Sequence, residues 1–329
     1  MTGKTVVITG ISGHFGQVLL PHLDADPDIE RVIGIDRASF GSQTSSKKLV
    51  FHQVDLRSSG WESLLLDADE LVHLAFILMR SPGARDVDEI NEKTTRQVFE
   101  AAARQGVRKL VVTSSVVAYG LHPDNPIPLT EESPLRPNAG NYYSRAKAAN
   151  EKYLDQFEKQ HPDMIVTRLR PCTVVGLHAP PANMASLTGK TGILVSGSNP
   201  PIQLVHEEDM ATALHLAIKK DLPGIFNVTS DEPRTLEELM HLRGGNTLSL
   251  PYSLARAAMW LTWRLGLSVF APEWADLSRY PLVASNEKLK AMGWTPHYTT
   301  AKAFSDLLSG LNRERQVSDA NHQNPNQPE

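Results

Sequence analysis

Residues 4–16 read KTVVITGISGHFG. The apolar, β-branched run TVVIT reads as a short buried strand, and a helical pattern starts at about His14. Between them stand Gly10, Gly13 and Gly16. Glycine there permits a tight turn and lets a pyrophosphate approach the backbone, at a helix N-terminus whose unpaired N–H groups and dipole favour anions. The spacing G-x-x-G-x-x-G differs from the commoner G-x-G-x-x-G, and three glycines alone would also fit a plain turn. The flanking strand and helix give the loop its meaning as a phosphate cradle. A second strand, RVIGID, ends in Asp36, where a carboxylate can accept from the 2′-hydroxyl of an adenosine ribose, which points to NAD. Arg37 follows and could take a 2′-phosphate, so NADP is the weaker alternative; a strand-end turn is the bland reading of Asp36.

Strand and helix patterns alternate onward from the cradle. A helix over about 14–23 is followed by RVIGID, KLVFHQVD, a helix near 61–66, ELVHLA, a helix over about 87–104, KLVVTSS, a helix containing Tyr143, and MIVTRLRP. Apolar strands separated by helices predict a parallel sheet covered on both faces, an α/β doubly wound (Rossmann) fold. After Pro171 the rhythm breaks. A Gly- and Pro-rich stretch over 176–201 precedes a helix near 208–219 and the strand GIFNVTS, which returns to the sheet, and residues 235–270 read as helical and aromatic. The expected division is a cofactor-binding domain over 1–176 and 204–230 and a smaller, mostly helical substrate domain over 177–203 and 231–312. The polar segment 313–329 is expected to be a disordered tail.

A net charge of −4 in 329 residues offers no basic field for nucleic acid. The single cysteine, Cys172, excludes an intrachain disulfide and a cysteine metal cluster, and the twelve histidines include no pair at i, i+4. No metal is expected. The first strand begins at Lys4 and no apolar run reaches membrane-spanning length, so the expectation is a cytoplasmic protein without a targeting segment or stable membrane insertion, acting on a small molecule, with a homodimer left open.

Residues 141–151 read NYYSRAKAANE. Helix places positions i and i+4 on one face, so Lys147 can reach Tyr143, whereas Tyr142 has no such partner. Alone, the pair fits a tyrosine packed on an aliphatic lysine stem. With TGISGHFG, Asp36, DLR at 55–57, HLA at 73–75, Asn91, TSSVVAYG at 113–120, YSRAK at 143–147, RPCTVVG at 170–176 and LVHEEDMATAL at 204–214, the sequence resembles the extended short-chain dehydrogenase/reductases, also called NAD-dependent epimerase/dehydratases, from Lys4 to about Leu308. The resemblance implies that Tyr143 is the catalytic acid/base, that Lys147 lowers its pKa and holds the nicotinamide ribose, and that Ser115 orients the substrate oxygen. It also implies that Gly10, Ser12, Gly13, His14, Phe15 and Gly16 cradle the pyrophosphate and that Asp36 and Arg37 face the adenosine ribose. Asp55 and Leu56 would flank the adenine, Leu74 and Ala75 would line the cofactor channel, and Asn91 would support the site through its helix. His73 reads as a packed strand residue.

Three departures narrow the chemistry. Val116, Val117 and Ala118 follow Ser115 where the family's dehydratases usually carry an acidic pair. Thr173 and Ile202 stand where its nucleotide-sugar epimerases usually show Asn and Arg, and isoleucine cannot clamp a diphosphate. In residues 253–270, SLARAAMWLTWRLGLSVF, the residues Leu254, Ala257, Ala258, Leu261 and Leu265 share one helical face. Core packing of the small domain is the first reading of that face, followed by an apolar substrate wall and then by a membrane-surface helix with Arg256 and Arg264. The functional expectation is an NAD-dependent oxidoreductase moving hydride between nicotinamide and a secondary alcohol or ketone. The alternatives are a sugar or nucleotide-sugar epimerase that retains its NAD, and a non-catalytic NAD(P)-binding regulator.

Overall fold

The computed structural model describes residues 3–41, 46–84 and 87–323. β1 (Lys4–Thr9) leads through the glycine turn into α1 (His14–Ala25), and β2 (Ile29–Asp36) and β3 (Leu49–Gln53) follow. Next come β4 (Glu70–His73), α2 (Val87–Arg104), β5 (Lys109–Thr113), α3 (Tyr142–Gln160) and β6 (Ile165–Pro171). The segment 61–65 is one 3₁₀ turn rather than an α-helix; Trp61 is buried and donates through its indole Nε1 to Leu56 O at 3.0 Å. After β6 come β7 (Thr173–Val175), α4 (Pro181–Thr188), β8 (Thr191–Val195), β9 (Pro201–Ile202), β10 (Leu204–His206), α5 (Glu207–Lys219) and β11 (Gly224–Val228). The chain continues through β12 (Arg234–Thr235), α6 (Leu236–Leu242), β13 (Asn246–Leu250), α7 (Tyr252–Arg264), α8 (Glu287–Ala291) and α9 (Thr300–Gln323).

Seven strands form one sheet in the order β11-β6-β5-β4-β1-β2-β3, with every pairing parallel. Successive side chains of a strand point to opposite faces. Val6 and Ile8 therefore enter a core with Leu19 and Leu23 of α1 and Ala213 and Leu214 of α5, while Val7 enters a second core with Val98 and Phe99 of α2 and Phe157 of α3. Burial on both faces explains why these strands read as unbroken apolar runs. Strand order reverses between β1 and β4, and in such sheets ligands bind beyond the carboxyl ends of the strands at that switch point.

Three expectations are corrected outside the sheet. The region 235–270 is not helical throughout: β13 pairs in parallel with β8, because Leu248 and Leu250 opposite Ile193 and Val195 suit a strand. The tail expected to be disordered from Arg313 is helical, since α9 runs to Gln323 and meets its first proline only at Pro325; residues 324–329 lie outside the described residues. The apolar face of α7 does not pack a core. Leu254, Ala257, Ala258, Leu261 and Leu265 are all exposed, and the only fully buried residue of the helix is Ala255.

Candidate active site

The glycine turn is set by what its neighbours leave no room for. Gly10 has φ +78°, and a Cβ there would strike the backbone of Leu74 and Ala75 as the chain leaves β4. A Cβ on Gly16 would strike the Ile11 backbone. At Gly13 a Cβ would meet only Gly10 O, at 3.2 Å, so this glycine opens toward the mouth of the turn. Gly13 caps α1 without any side-chain hydrogen bond, and no acidic residue lies in the helix's first turn. Free amides and an open backbone at a helix N-terminus fit a pyrophosphate. Asp36 holds the turn as well as facing it, accepting from Ser12 N and from Ala38 N, each at 3.0 Å. His14 is tied across to Glu207 at 2.7 Å, and Glu207 also accepts from Leu177 N, His178 N and the His178 ring. Burial would raise the Glu207 carboxyl, but the His14 and His178 hydrogen bonds prevail and hold it at about 2.

Beyond Asp36, the chain exits β3 at Asp55. Its carboxylate is gripped by Arg57, whose hydrogen bonds hold it at about 2. Leu56 is buried beside it, and Phe15 packs against the first core. Arg37 is exposed.

The second group of residues gathers at the carboxyl ends of β4 and β5. Ser115 follows β5 and caps a 3₁₀ turn, accepting from Val117 N at 3.3 Å. Ser115 is the polar group that acts on the Tyr143 hydroxyl, favouring its ionised form. One turn on, Lys147 is buried and donates from Nζ to Thr113 O at 2.7 Å, with Nζ 3.7 Å from the centre of the Phe76 ring. Sequence thus brings Ser115, Tyr143 and Lys147 together, with one correction. Burial pushes the Tyr143 phenol up to about 12, opposed only by Ser115, so the expected lowering by Lys147 is absent. The ammonium is turned to Thr113 and Phe76, 5.7 Å from the Tyr143 ring centre, and burial brings Lys147 itself down to about 7 against the opposing pull of Glu151.

Tyr142 faces away from this group. Its hydroxyl donates to Leu78 O, and the Arg80 guanidinium lies 5.1 Å from its ring centre. His73 is a packed strand residue, as expected. It lies between the Thr9 and Thr95 hydroxyls at 2.8 and 3.1 Å, and burial followed by the Lys147 charge lowers it to about 3, which keeps it neutral. Asn91 pairs both ways with the Ile77 backbone, at 2.9 and 3.0 Å, and pins the loop that carries Phe76.

Sequence reasoning missed three participants. Glu151 accepts from Ser114 and, through both oxygens, from the buried Arg170, so it locks α3 against β5 and β6; its i+4 spacing from Lys147 was a readable signal. Phe76 and Trp274 flank Tyr143, with ring centres at 5.5 and 5.7 Å. They come from a loop and a 3₁₀ turn remote in sequence, which no local pattern could connect.

The model of the NAD dependent epimerase/dehydratase family matches residues 6–229. The chain belongs to this family. An uncharacterized protein of Mycobacterium tuberculosis is 26% identical over 93% of this chain and 84% of its own length. A UDP-glucose 4-epimerase of Mycolicibacterium smegmatis is 30% identical, but the match spans only 55% of this chain and 59% of that protein. The structure of Thermus thermophilus UDP-glucose 4-epimerase in complex with NAD superposes with a TM-score of 0.71 at 25% identity, covering 92% of this chain and 98% of that one. Among the described residues no helix is long and apolar enough to cross a membrane, and no group of His, Cys, Asp and Glu could hold a metal ion.

Proposed function

We propose that this member of the epimerase/dehydratase family is an NAD-dependent oxidoreductase acting on a secondary alcohol or its ketone. The observation that carries the reading is the grouping of Ser115, Tyr143 and, one helical turn on, the buried Lys147 at the carboxyl end of the sheet that also bears the glycine cradle. Bound NAD would supply the hydride acceptor or donor. The loop over 10–16 would hold the pyrophosphate, Asp36 the adenosine ribose and Lys147 the nicotinamide ribose. Ser115 would orient the substrate oxygen while Tyr143 exchanges a proton with it. A phenol held protonated at neutral pH is ready to donate, so the resting site suits carbonyl reduction. In this reading residues 1–176 and 204–230 carry the cofactor, and 177–203 with 231–312 shape the substrate side.

The likeness to UDP-glucose 4-epimerases supports a second reading, an epimerase that oxidises and re-reduces one carbon with its NAD retained. Ile202 weighs against a nucleotide-sugar substrate, because it packs against the apolar cluster of Leu204, Leu239 and Phe304 where a diphosphate-clamping arginine would be needed. Following nicotinamide absorbance and substrate configuration together separates the two. Net, substrate-dependent conversion of added NADH is expected; inversion at one carbon with no net cofactor change would sink the oxidoreductase reading in favour of the epimerase.

Cofactor choice follows from Asp36. NAD is expected to bind more tightly than NADP, since the carboxylate repels a 2′-phosphate, with the neighbouring Arg37 softening the preference. Asp36 also holds the turn through Ser12 N and Ala38 N, so Asp36→Asn, which keeps a side-chain acceptor, is a better probe than alanine. Calorimetric titration should show the NAD to NADP affinity ratio shrinking in Asp36→Asn. Equal or tighter NADP binding by the wild type would reverse the assignment.

A further inference from the structure

Glu207 opens α5 and is buried, although helix packing alone does not call for a carboxylate there. α1 and α5 already meet through Leu19, Leu20, Ala213 and Leu214. The carboxylate nevertheless has both oxygens fully used. Oε2 accepts from His14 Nε2 at 2.7 Å and from His178 N at 3.1 Å, while Oε1 accepts from Leu177 N at 3.1 Å and from His178 Nδ1 at 2.9 Å. Ionised throughout the neutral range, it can only accept, so both rings turn an N–H toward it. Gly176 keeps the space open, since a Cβ there would fall on the Glu207 carboxyl. A buried carboxylate and a glycine kept for it both cost stability, which their contacts must offset.

Those contacts join two parts of the molecule that the sheet itself does not link. On one side, His14 is the first residue of α1, directly after the glycine turn. On the other, Leu177 and His178 begin the segment that leaves β7 for α4. Ala179, Met184 and Leu187 of that segment run into a third core with Leu239 of α6 and Phe304 of α9, separate from the two cores of the sheet. Leu177 lies against Gly310 of α9, where a Cβ would meet it at 2.6 Å. The neighbouring pair of His22 and Glu208, at 3.1 Å, stays between α1 and α5. We propose that Glu207 is a positioning residue that couples the cofactor cradle to the segment over 177–188, so that NAD seated at the start of α1 tightens that segment through His14. Pyrophosphate held by the first amides of α1 would restrain His14, and with it the carboxylate that holds the Leu177 and His178 amides. This coupling rests on the cofactor placement of the oxidoreductase reading. By linkage it is reciprocal: whatever holds 177–188 in place strengthens NAD binding by the same factor. A substrate held by that segment would bind better to the NAD-loaded protein than to the empty one.

Hydrogen exchange of the full chain, with and without saturating NAD, reads the coupling without any substrate. In the wild type NAD should slow exchange of the amides over 177–188 by roughly fivefold or more, the lower end of ordinary coupling between sites. α6, which shares the third core but not the carboxylate, should change little. Glu207→Gln keeps the shape of the side chain while replacing one acceptor oxygen by a donor. It should bind NAD more weakly, and saturating NAD should then leave exchange over 177–188 unchanged. A role confined to stability would instead raise exchange equally with and without NAD. His14→Phe cuts the link from the cradle side and leaves Glu207 its other three donors, so the test does not depend on the folding of Glu207→Gln; it too should lose the NAD effect on 177–188. NAD bound by calorimetry with no slowing over 177–188 in the wild type, or a slowing that survives in both variants, overturns the proposal. Equal slowing of α6 also overturns it, as a general tightening of the fold. Absence of NAD binding in the wild type would be a different failure, removing the cofactor placement and the coupling together.

Discussion

Tyr143→Phe is expected to lower turnover by roughly 10²- to 10⁴-fold, the usual contribution of a positioned general acid or base, while NAD affinity and the thermal midpoint stay close to wild type. The substitution removes one oxygen from a side chain whose ring contacts with Phe76 and Trp274 remain. Ser115, the polar group that acts on its hydroxyl, keeps its bonds to Val117 N and Pro171 O, so little else should move. Tyr142→Phe is the matched control. There the lost hydroxyl bond to Leu78 O should cost stability by about 1 kcal/mol and leave the rate within a few-fold. Steady-state rates and NAD titrations on both variants decide the matter. If Tyr142→Phe lost activity and Tyr143→Phe kept it, the register of the site would be wrong. If neither changed an activity that still required NAD, tyrosine-based proton transfer would have to be abandoned.

The cradle and the proton-transfer group were legible because each is local. Gly10, Gly13, Gly16 and Asp36 lie within one strand–helix–strand unit, and Tyr143 and Lys147 are one helical turn apart, so spacing alone specifies their geometry. Legibility failed where the outcome depends on what lies across the molecule. The orientation of the Lys147 ammonium is set by Thr113 and Phe76, which helix periodicity cannot supply, and the i+4 rule therefore brought it too close to the phenol. The apolar face of α7 was read correctly as a face and wrongly as core, since periodicity says which residues share a side but not whether anything covers it. In α9 a polar composition suggested disorder, although Arg, Glu and Gln are good helix formers and the packed residues Ala303, Phe304 and Leu307 anchor the start of the helix.

Lys147→Met is expected to damage two functions at once and to leave a signature in stability. Nζ is the one cationic group within the pocket formed by His73, Phe76, Thr113 and Glu151, and methionine fills a similar volume without it. Loss of a charge-assisted hydrogen bond to the nicotinamide ribose should weaken NAD roughly tenfold or more, and turnover should fall further, since the site loses the cation one helical turn from Tyr143. The pH arm concerns folding alone. Burial lowers the folded-state pKa of Lys147 from 10.5 to about 7, so between those values the unfolded chain holds a proton that the folded chain has released. Stability then rises with pH across that window, and below about pH 7 the cost of a buried ammonium is present in full. The wild type should therefore gain stability relative to Lys147→Met between about pH 7 and about pH 10.5. Other groups titrate similarly in both proteins and cancel in the comparison. Urea unfolding of the two proteins at each pH measures the difference. A difference that stays flat across the window would mean that Lys147 keeps its proton in the folded chain, held by Glu151 more strongly than burial opposes it. In that event Tyr143 would face a permanent cation, and alcohol oxidation rather than carbonyl reduction would be the direction favoured by the resting site.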